Sequence, residues 1–401
     1  MNLTRRQALL AGSAVTVAAA MPRTARGLSF PDLSAAAGQT AFADSAFDDA
    51  ASVSDLEAIA HTRMEHMAWE YISGAAADEI TLRWSREAYD RIRLNPRVLH
   101  DVSALDTRVK VLGLDLLFPV MLAPTSLHKL AHPEGELATV KGAGAAGTGM
   151  VLSTMSSVSL EDVAKAASVP LWFQLYVQKD RGFTEQLVKR AAAAGYKALV
   201  VTVDTPVGGA RNRQERAKFH LPPGVDMPNL RGMKSPINSS NTTERDVFAG
   251  LLPERLTWKD IEWLRSLTPL PVILKGILNA DDADIAARSG IAGIQVSNHG
   301  GRNLDTVPAT IDALPRITDK VAGRITVIVD GGIRRGTDVL KALAFGATAV
   351  MVGRPIFYGL SSGGAAGVAK VLNILRSEFQ MAMALSGRVR IAEIDRSVIW
   401  S

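Results

Sequence analysis

From residue 119 onward the chain repeats one unit: a short apolar run closed by a polar residue or glycine, then an alanine-rich segment with helical spacing. The runs are Val120–Ala123, Met150–Leu152, Leu171–Leu175, Ala198–Val203, Val272–Leu274, Gly293–Val296, Thr326–Val329 and Ala349–Val352. Runs that are apolar throughout, without alternation, suit strands buried on both faces, and helices between them imply parallel pairing. Eight such units predict an α/β chain with the (β/α)8 TIM barrel architecture. At 401 residues and 47% hydrophobic content, the chain has enough length and apolar mass for a barrel of about 250 residues with additions.

In such barrels, sites gather where strands end at their C-terminal side. The residues following the runs are Ser126, Ser153, Gln174 with Tyr176, Thr202 with Asp204, Lys275, His299 with Arg302, Asp330 with Arg334, and Arg354. A barrel built only for stability has no use for so many charged and hydrogen-bonding groups at one rim. The sixth unit, Gly293-Ile-Gln-Val-Ser-Asn-His-Gly-Gly-Arg302, delivers a histidine and an arginine into a glycine-loosened turn. Histidine is the side chain that changes charge near neutral pH, and glycine lets backbone approach a ligand closely. Asp330-Gly-Gly-Ile-Arg-Arg-Gly336 and Gly353-Arg354 follow the seventh and eighth runs, where barrels commonly hold a phosphate. Glycine-freed amides with two guanidinium forks suit a dianion. With no Walker-type loop and no G-x-G-x-x-G after a strand, a nicotinamide dinucleotide is not expected. The absence of cysteine excludes disulfides, thiol catalysis and cysteine-ligated metal, and no metal site is expected.

The segments outside the rhythm read differently. Residues 1–20 combine Thr4-Arg5-Arg6-Gln7, an apolar run from Ala8 to Ala20 and a small-residue end, which reads as a twin-arginine signal peptide. The apolar run is shorter than the roughly 20 residues that span a bilayer. Residues 21–51 lack periodicity and read as a flexible linker, which leaves 52–401 as the barrel domain. Arg5, Arg6, Arg23 and Arg26 all precede the first acid, Asp32; without them the net charge of +5 falls to +1, so no nucleic-acid partner is expected. Ser54-Asp-Leu-Glu57 has capping-box spacing and should open a helical extension that runs through Met64, Met67, Ala68 and Tyr71 to Gly74. A long insertion after the fourth strand, rich in Pro, Gly, Asn, Ser and Thr from Pro222 to Thr243, reads as a lid over the mouth. Val368 to Leu385 should form a closing helix that buries Val371, Leu372, Leu375, Phe379 and Met383.

Several stretches together resemble the FMN-dependent L-2-hydroxy acid oxidases and dehydrogenases, a family that includes glycolate oxidase, flavocytochrome b2, mandelate dehydrogenase and respiratory L-lactate dehydrogenase. They are Tyr71-Ile-Ser-Gly-Ala75, Ala131-His-Pro-Glu-Gly-Glu136, Trp172-Phe-Gln-Leu-Tyr176, Thr202-Val-Asp-Thr-Pro206, Val296-Ser-Asn-His-Gly300, Asp330-Gly-Gly-Ile-Arg334 and Gly353-Arg-Pro355. The resemblance implies that His299 is a catalytic base, that Arg302 and Tyr71 clamp the substrate carboxylate with help from Arg211, and that Tyr176 meets the hydroxyl. Asp204 would orient the base and stabilise its imidazolium. By the same resemblance FMN is held by Pro124, Thr125, Ser126, Ser153, Gln174, Thr202, Lys275, Ser297, Asp330, Gly331, Gly332, Arg334, Gly353 and Arg354.

Two departures bear on specificity. Met155 stands where several members carry tryptophan, and Gly208 where they carry a bulky residue, implying a roomier substrate pocket. Ser126 stands where oxidases usually have alanine. The resemblance implies oxidation of an L-2-hydroxy acid, L-lactate first, by an enzyme that assembles as a tetramer; the export signal adds a periplasmic location with peripheral membrane contact, and with it a quinone or cytochrome as acceptor. The alternatives are an oxidase forming hydrogen peroxide, a mandelate-type dehydrogenase, and a non-redox flavin isomerase.

Overall fold

The computed structural model describes residues 45–233 and 256–400. The expected signal peptide 1–20, the linker up to residue 44, and residues 234–255 of the insertion, which include the part of the expected lid from 234 to 243, lie outside the described residues. A hairpin of β1 (Val109–Val111) and β2 (Leu114–Leu116) precedes eight parallel strands. These are β3 (Val120–Leu122), β4 (Met150–Ser153), β5 (Leu171–Leu175), β6 (Leu199–Thr202), β7 (Val272–Ile277), β8 (Gly293–Val296), β9 (Thr326–Asp330) and β10 (Ala349–Val352). They close in chain order, with β10 pairing β3, so each expected run is one strand of a (β/α)8 barrel.

The two faces of each strand have different partners, as the two-residue period of a strand requires. Val120, Leu122, Phe173, Val201, Leu274, Val327 and Val329 point outward and pack with the surrounding helices. Met121, Val151, Trp172, Val200, Ile273, Ile328 and Met351 point inward and form a separate cluster, joined by Val111, Leu114 and Leu116 of the hairpin. One step further along the inward face, at the C-terminal ends, stand Ser153, Gln174, Thr202, Lys275 and Asp330, all buried. The interior is therefore apolar below and polar above.

Two expected boundaries move. The first capping box is made by Ser52 and Asp55: Ser52 Oγ accepts from Asp55 N at 3.2 Å and Asp55 Oδ2 accepts from Ser52 N at 2.8 Å. The same spacing two residues on, at Ser54 and Glu57, loses because Glu57 is drawn to Tyr358 Oη at 2.8 Å and Arg86. The expected single helix is two, Val53–Arg63 and His66–Ser73, broken at Met64, whose backbone is extended. Gly74 ends the second, as expected. The short helix Ser45–Asp49 falls within the stretch read as linker; Phe47 lies against Gly363, and Lys370 Nζ reaches Asp48 O at 2.8 Å. The segment Arg354–Leu385 is two helices that meet at a break at Gly363 and Gly364, whose backbone leaves the helical region; the second carries the expected closing helix and buries all five apolar residues assigned to it. No helix among the described residues is long and apolar enough to cross a membrane.

Candidate active site

The C-terminal ends of the strands surround a cavity open on one side. One wall comes from the segment after β8. His299 opens a single 3-10 turn with φ 55°, and Gly300 and Gly301 continue it at φ 63° and 73°. A Cβ on Gly301 would stand 3.1 Å from Leu82 N, and one on Gly300 the same distance from Arg354 Nη1, which is why this turn needs glycine. The strained His299 backbone is held by its own N–H, which donates to Ser297 Oγ at 3.1 Å.

His299 Nδ1 lies 2.9 Å from Asp204 Oδ1, and Nε2 lies 3.4 Å from Tyr176 Oη. Burial pushes the Asp204 carboxyl up, but His299 and Lys275 together outweigh it and leave Asp204 below the usual carboxylate range. A carboxylate can only accept, so Nδ1 carries the proton and Nε2 keeps its lone pair on the cavity side. Burial lowers the His299 pKa, against the opposing pull of Asp204, so the ring is neutral at neutral pH. Burial, reinforced by Asp204, raises the Tyr176 phenol well above its ordinary value, which keeps it an O–H donor.

Two guanidiniums stand nearby. Arg302 Nη1 donates to Tyr71 O at 2.6 Å and Gly74 O at 2.9 Å, and its Cζ lies 5.1 Å from the Tyr71 ring centre. Arg211 Nε donates to Arg302 O at 3.3 Å. Burial and then Arg302 push Arg211 down to about 9, and burial lowers Arg302 as well. Crowded, desolvated cations gain most from an anion, so this end of the cavity favours a carboxylate. Tyr71 is buried, lines the cavity and stacks on Phe219 at 4.4 Å between ring centres. Arg213 holds that arrangement from the insertion by donating to Glu70 at 2.6 and 2.8 Å.

Across the floor runs a polar chain. Gln174 Nε2 donates to Thr202 Oγ1 at 2.9 Å, its Oε1 accepts from Ser153 Oγ at 3.2 Å, and Ser126 Oγ lies 3.5 Å from Ser153 Oγ. Lys275 Nζ donates to Ser297 Oγ at 3.0 Å, and Ser297 passes on to Asp330 Oδ2 at 2.9 Å. Asp330 Oδ1 is buried without a partner. At the far end Gly331 and Gly332 take φ 93° and 81°, and a Cβ on Gly332 would stand 2.0 Å from Ser85 O. Gly353 precedes the N-terminus of the helix Arg354–Leu385. Arg354 donates to Ile72 O at 3.1 Å and Gly74 O at 2.8 Å, and burial pushes it down to about 9. Arg334 Nε is buried without a partner.

These features fit a flavin mononucleotide. Glycine amides, a helix N-terminus and two arginines match a phosphate dianion. The unpartnered Asp330 acceptor suits a polyol hydroxyl, and the Lys275 ammonium suits a ring system that gains negative charge on reduction.

Pro124, Thr125 and Ser126 line the cavity as expected, beside Ala123. Three expected residues do not: Asp204 stands behind His299, Ser297 behind Lys275, and Met155 is buried with its N–H on Ser153 Oγ at 3.1 Å. The sequence reading missed Ile72, Ile333, Met351, Val352 and Phe357, apolar lining with no chemical signature, and Phe219, Thr205 and Asn303, which contact Tyr71 and Asp204.

The family model for FMN-dependent dehydrogenase matches residues 60–401. The chain is 50% identical over 352 residues to an L-lactate oxidase of Nostoc sp., covering 86% of this chain and 96% of that protein. It is 47% identical to glycolate oxidase 1 of Oryza sativa subsp. indica, covering 87% and 95%. A crystal structure of mandelate oxidase superimposes with a TM-score of 0.81 at 39% identity, covering 86% of this chain and 97% of that one. Fold, cavity chemistry and sequence agree that the chain belongs to the FMN-dependent dehydrogenase family.

Proposed function

We propose that this oxidoreductase, which uses FMN to oxidise a 2-hydroxy acid, takes a short L-2-hydroxy acid, L-lactate first, to the 2-keto acid. One observation carries the reading: His299, backed by Asp204, opens on the same cavity as Arg211 and Arg302. The arginines and Tyr71 hold the carboxylate and fix the plane of the acid, while Tyr176 donates to its hydroxyl. His299 Nε2 takes up a substrate proton and becomes an imidazolium, which the Asp204 carboxylate stabilises. Gly331, Gly332, Gly353, Arg334 and Arg354 hold the phosphate; Ser126, Ser153, Gln174, Thr202 and Lys275 hold the ring end. FMN, when bound, supplies the two-electron acceptor. L-Lactate is favoured by the Nostoc relative, which is named for it.

For the final acceptor we infer a quinone or cytochrome, because the twin-arginine segment at Arg5-Arg6 would export the folded enzyme to the periplasm and Ser126 lies in the cavity beside Ser153. This reading includes peripheral membrane contact, and the family resemblance adds a tetrameric assembly. A second reading, molecular oxygen as acceptor, is favoured by relatives named as oxidases. Anaerobic bleaching of the flavin by L-lactate, D-lactate, glycolate and mandelate, followed by stopped-flow reoxidation with oxygen, quinone and cytochrome, tests both points. Bleaching by L-lactate faster than by the others is expected. No bleaching by any L-2-hydroxy acid overturns the substrate class, and reoxidation by oxygen at least as fast as by the carriers overturns the acceptor.

A further inference from the structure

The aspartate behind the base is itself held in a socket that none of the assigned roles explains. Asn303 Nδ2 donates both to Asp204 O and to Thr205 Oγ1, at 2.8 Å each. The Asp204 carbonyl can only accept, which fixes the amide with its nitrogen facing that way. Since Asn303 donates to the Thr205 hydroxyl, the Thr205 proton is left for Asp204 Oδ1, 3.1 Å away. The same Oδ1 takes the His299 Nδ1–H at 2.9 Å, while Asp204 Oδ2 is buried with no partner. All the donors to this carboxylate thus converge on one oxygen, and nothing on the other oxygen resists rotation of the group.

The backbone closes the socket. Gly276 takes φ 114° at the register shift between Lys275 and Ile277, and a Cβ there would stand 2.4 Å from Asp204 Cβ. A Cβ on Gly209 would stand 2.3 Å from Arg302 O and 2.5 Å from Asn303 O, so the segment after β6 runs directly against the backbone that carries Arg302. Asn303 ties the same two segments by side chain, one residue from the substrate arginine and four from His299.

We propose that Asn303 and Thr205 are positioning residues that together fix the Asp204 carboxylate, and through it the tautomer and ring angle of His299. The role of His299 as base is taken from the proposed function; the Asp204 socket stands on the structure alone. The charged and titratable groups facing His299 are Asp204 after β6, Lys275 on β7, Tyr176 at the end of β5 and Arg211 in the segment after β6. Of these, Asp204 alone favours the imidazolium through a direct hydrogen bond. A carboxylate relieved of the Thr205 proton is a stronger partner for an imidazolium, so loss of that hydroxyl moves the His299 titration upward.

The test uses FMN-loaded enzyme with labelled histidines, following the His299 ring by NMR titration with the resonance assigned from His299→Gln, alongside the pH dependence of kcat/KM. Thr205→Val is expected to raise the His299 midpoint by about 0.5–1 pH unit and to lower kcat/KM at neutral pH roughly tenfold. Thr205→Ser, which keeps the hydroxyl, restores both. Asn303→Leu gives a smaller shift in the same direction, and a smaller one still when added to Thr205→Val, because part of its effect passes through the Thr205 hydroxyl. An unmoved midpoint in Thr205→Val, or full additivity of the two variants, overturns the proposal. Should Thr205→Val fail to retain flavin, Asn303→Leu decides alone, and an unmoved midpoint there overturns it equally. The NMR titration reads out even if no 2-hydroxy acid is turned over, so failure of the assigned reaction is told apart from failure of the socket.

Discussion

The lower and upper layers of the barrel interior are built on the same strands and the same faces, two residues apart, yet they do opposite work. Val151, Trp172, Val200, Ile273 and Ile328 form the lower layer; two positions on stand Ser153, Gln174, Thr202, Lys275 and Asp330. A two-residue step rises only about 7 Å. Below it the interior is closed by the β1–β2 hairpin and contributes stability through apolar burial, on the order of 1.5–3 kcal/mol for each large side chain. Above it, buried polar groups cost energy unless partnered. They bond one another through Gln174, Thr202, Ser153, Ser297 and Asp330, and two of the atoms left without a partner, Asp330 Oδ1 and Arg334 Nε, belong to residues that line the cofactor end. Stability and chemistry are separated along the strand, so one barrel can keep its core while its rim specialises.

That separation can be broken at either layer. The largest effect is expected at the rim: His299→Ala should lose about 10²–10⁴-fold in turnover while keeping flavin and Tm, because the base is needed in the transition state and not for packing. Near-normal turnover would remove His299 from the mechanism. In the lower layer Trp172→Ala should cost about 3–5 kcal/mol of stability by denaturant titration, with kcat per folded molecule retained. A Trp172→Ala protein of normal stability and impaired kcat would show that the layers are not independent. Arg302→Lys comes next. A lysine cannot reproduce the planar fork, so KM should rise and kcat fall by about tenfold to a hundredfold in combination. A change confined to flavin affinity would reassign Arg302 to the cofactor.

The same contrast explains what could be read from the sequence. The lower layer and the outward faces were legible because eight apolar runs repeat, and repetition needs no partner to be seen. At the rim, His299, Arg302, Lys275 and Asp330 were legible because each follows a run and carries chemistry. Thr205 and Asn303 were silent because an ordinary polar residue acquires meaning only from the atoms it meets, 98 positions apart in this chain. The capping box slipped by two residues for a like reason: Ser52 and Ser54 offer the same spacing, and the pull of Tyr358 and Arg86 on Glu57 decides between them.

The smallest effect, and the finest test of the comparison, is in pH. The buried His299 has its pKa below the ordinary histidine value of about 6.5, and the neutral ring is the form that accepts a proton. The acid limb of kcat/KM should therefore lie below about pH 6.5, with activity lost as pH falls through it. Asp204 is the opposing influence, since it favours the imidazolium. Asp204→Asn should then move the limb further to acid and lower kcat as well, because the imidazolium formed in turnover loses its stabiliser. Lower-layer variants carry no titratable partner of His299, so Trp172→Phe should leave the limb where it was. A limb that moves upward in Asp204→Asn, or that shifts with Trp172→Phe, would mean that the charge state of the rim is set by something other than the pair seen at its edge.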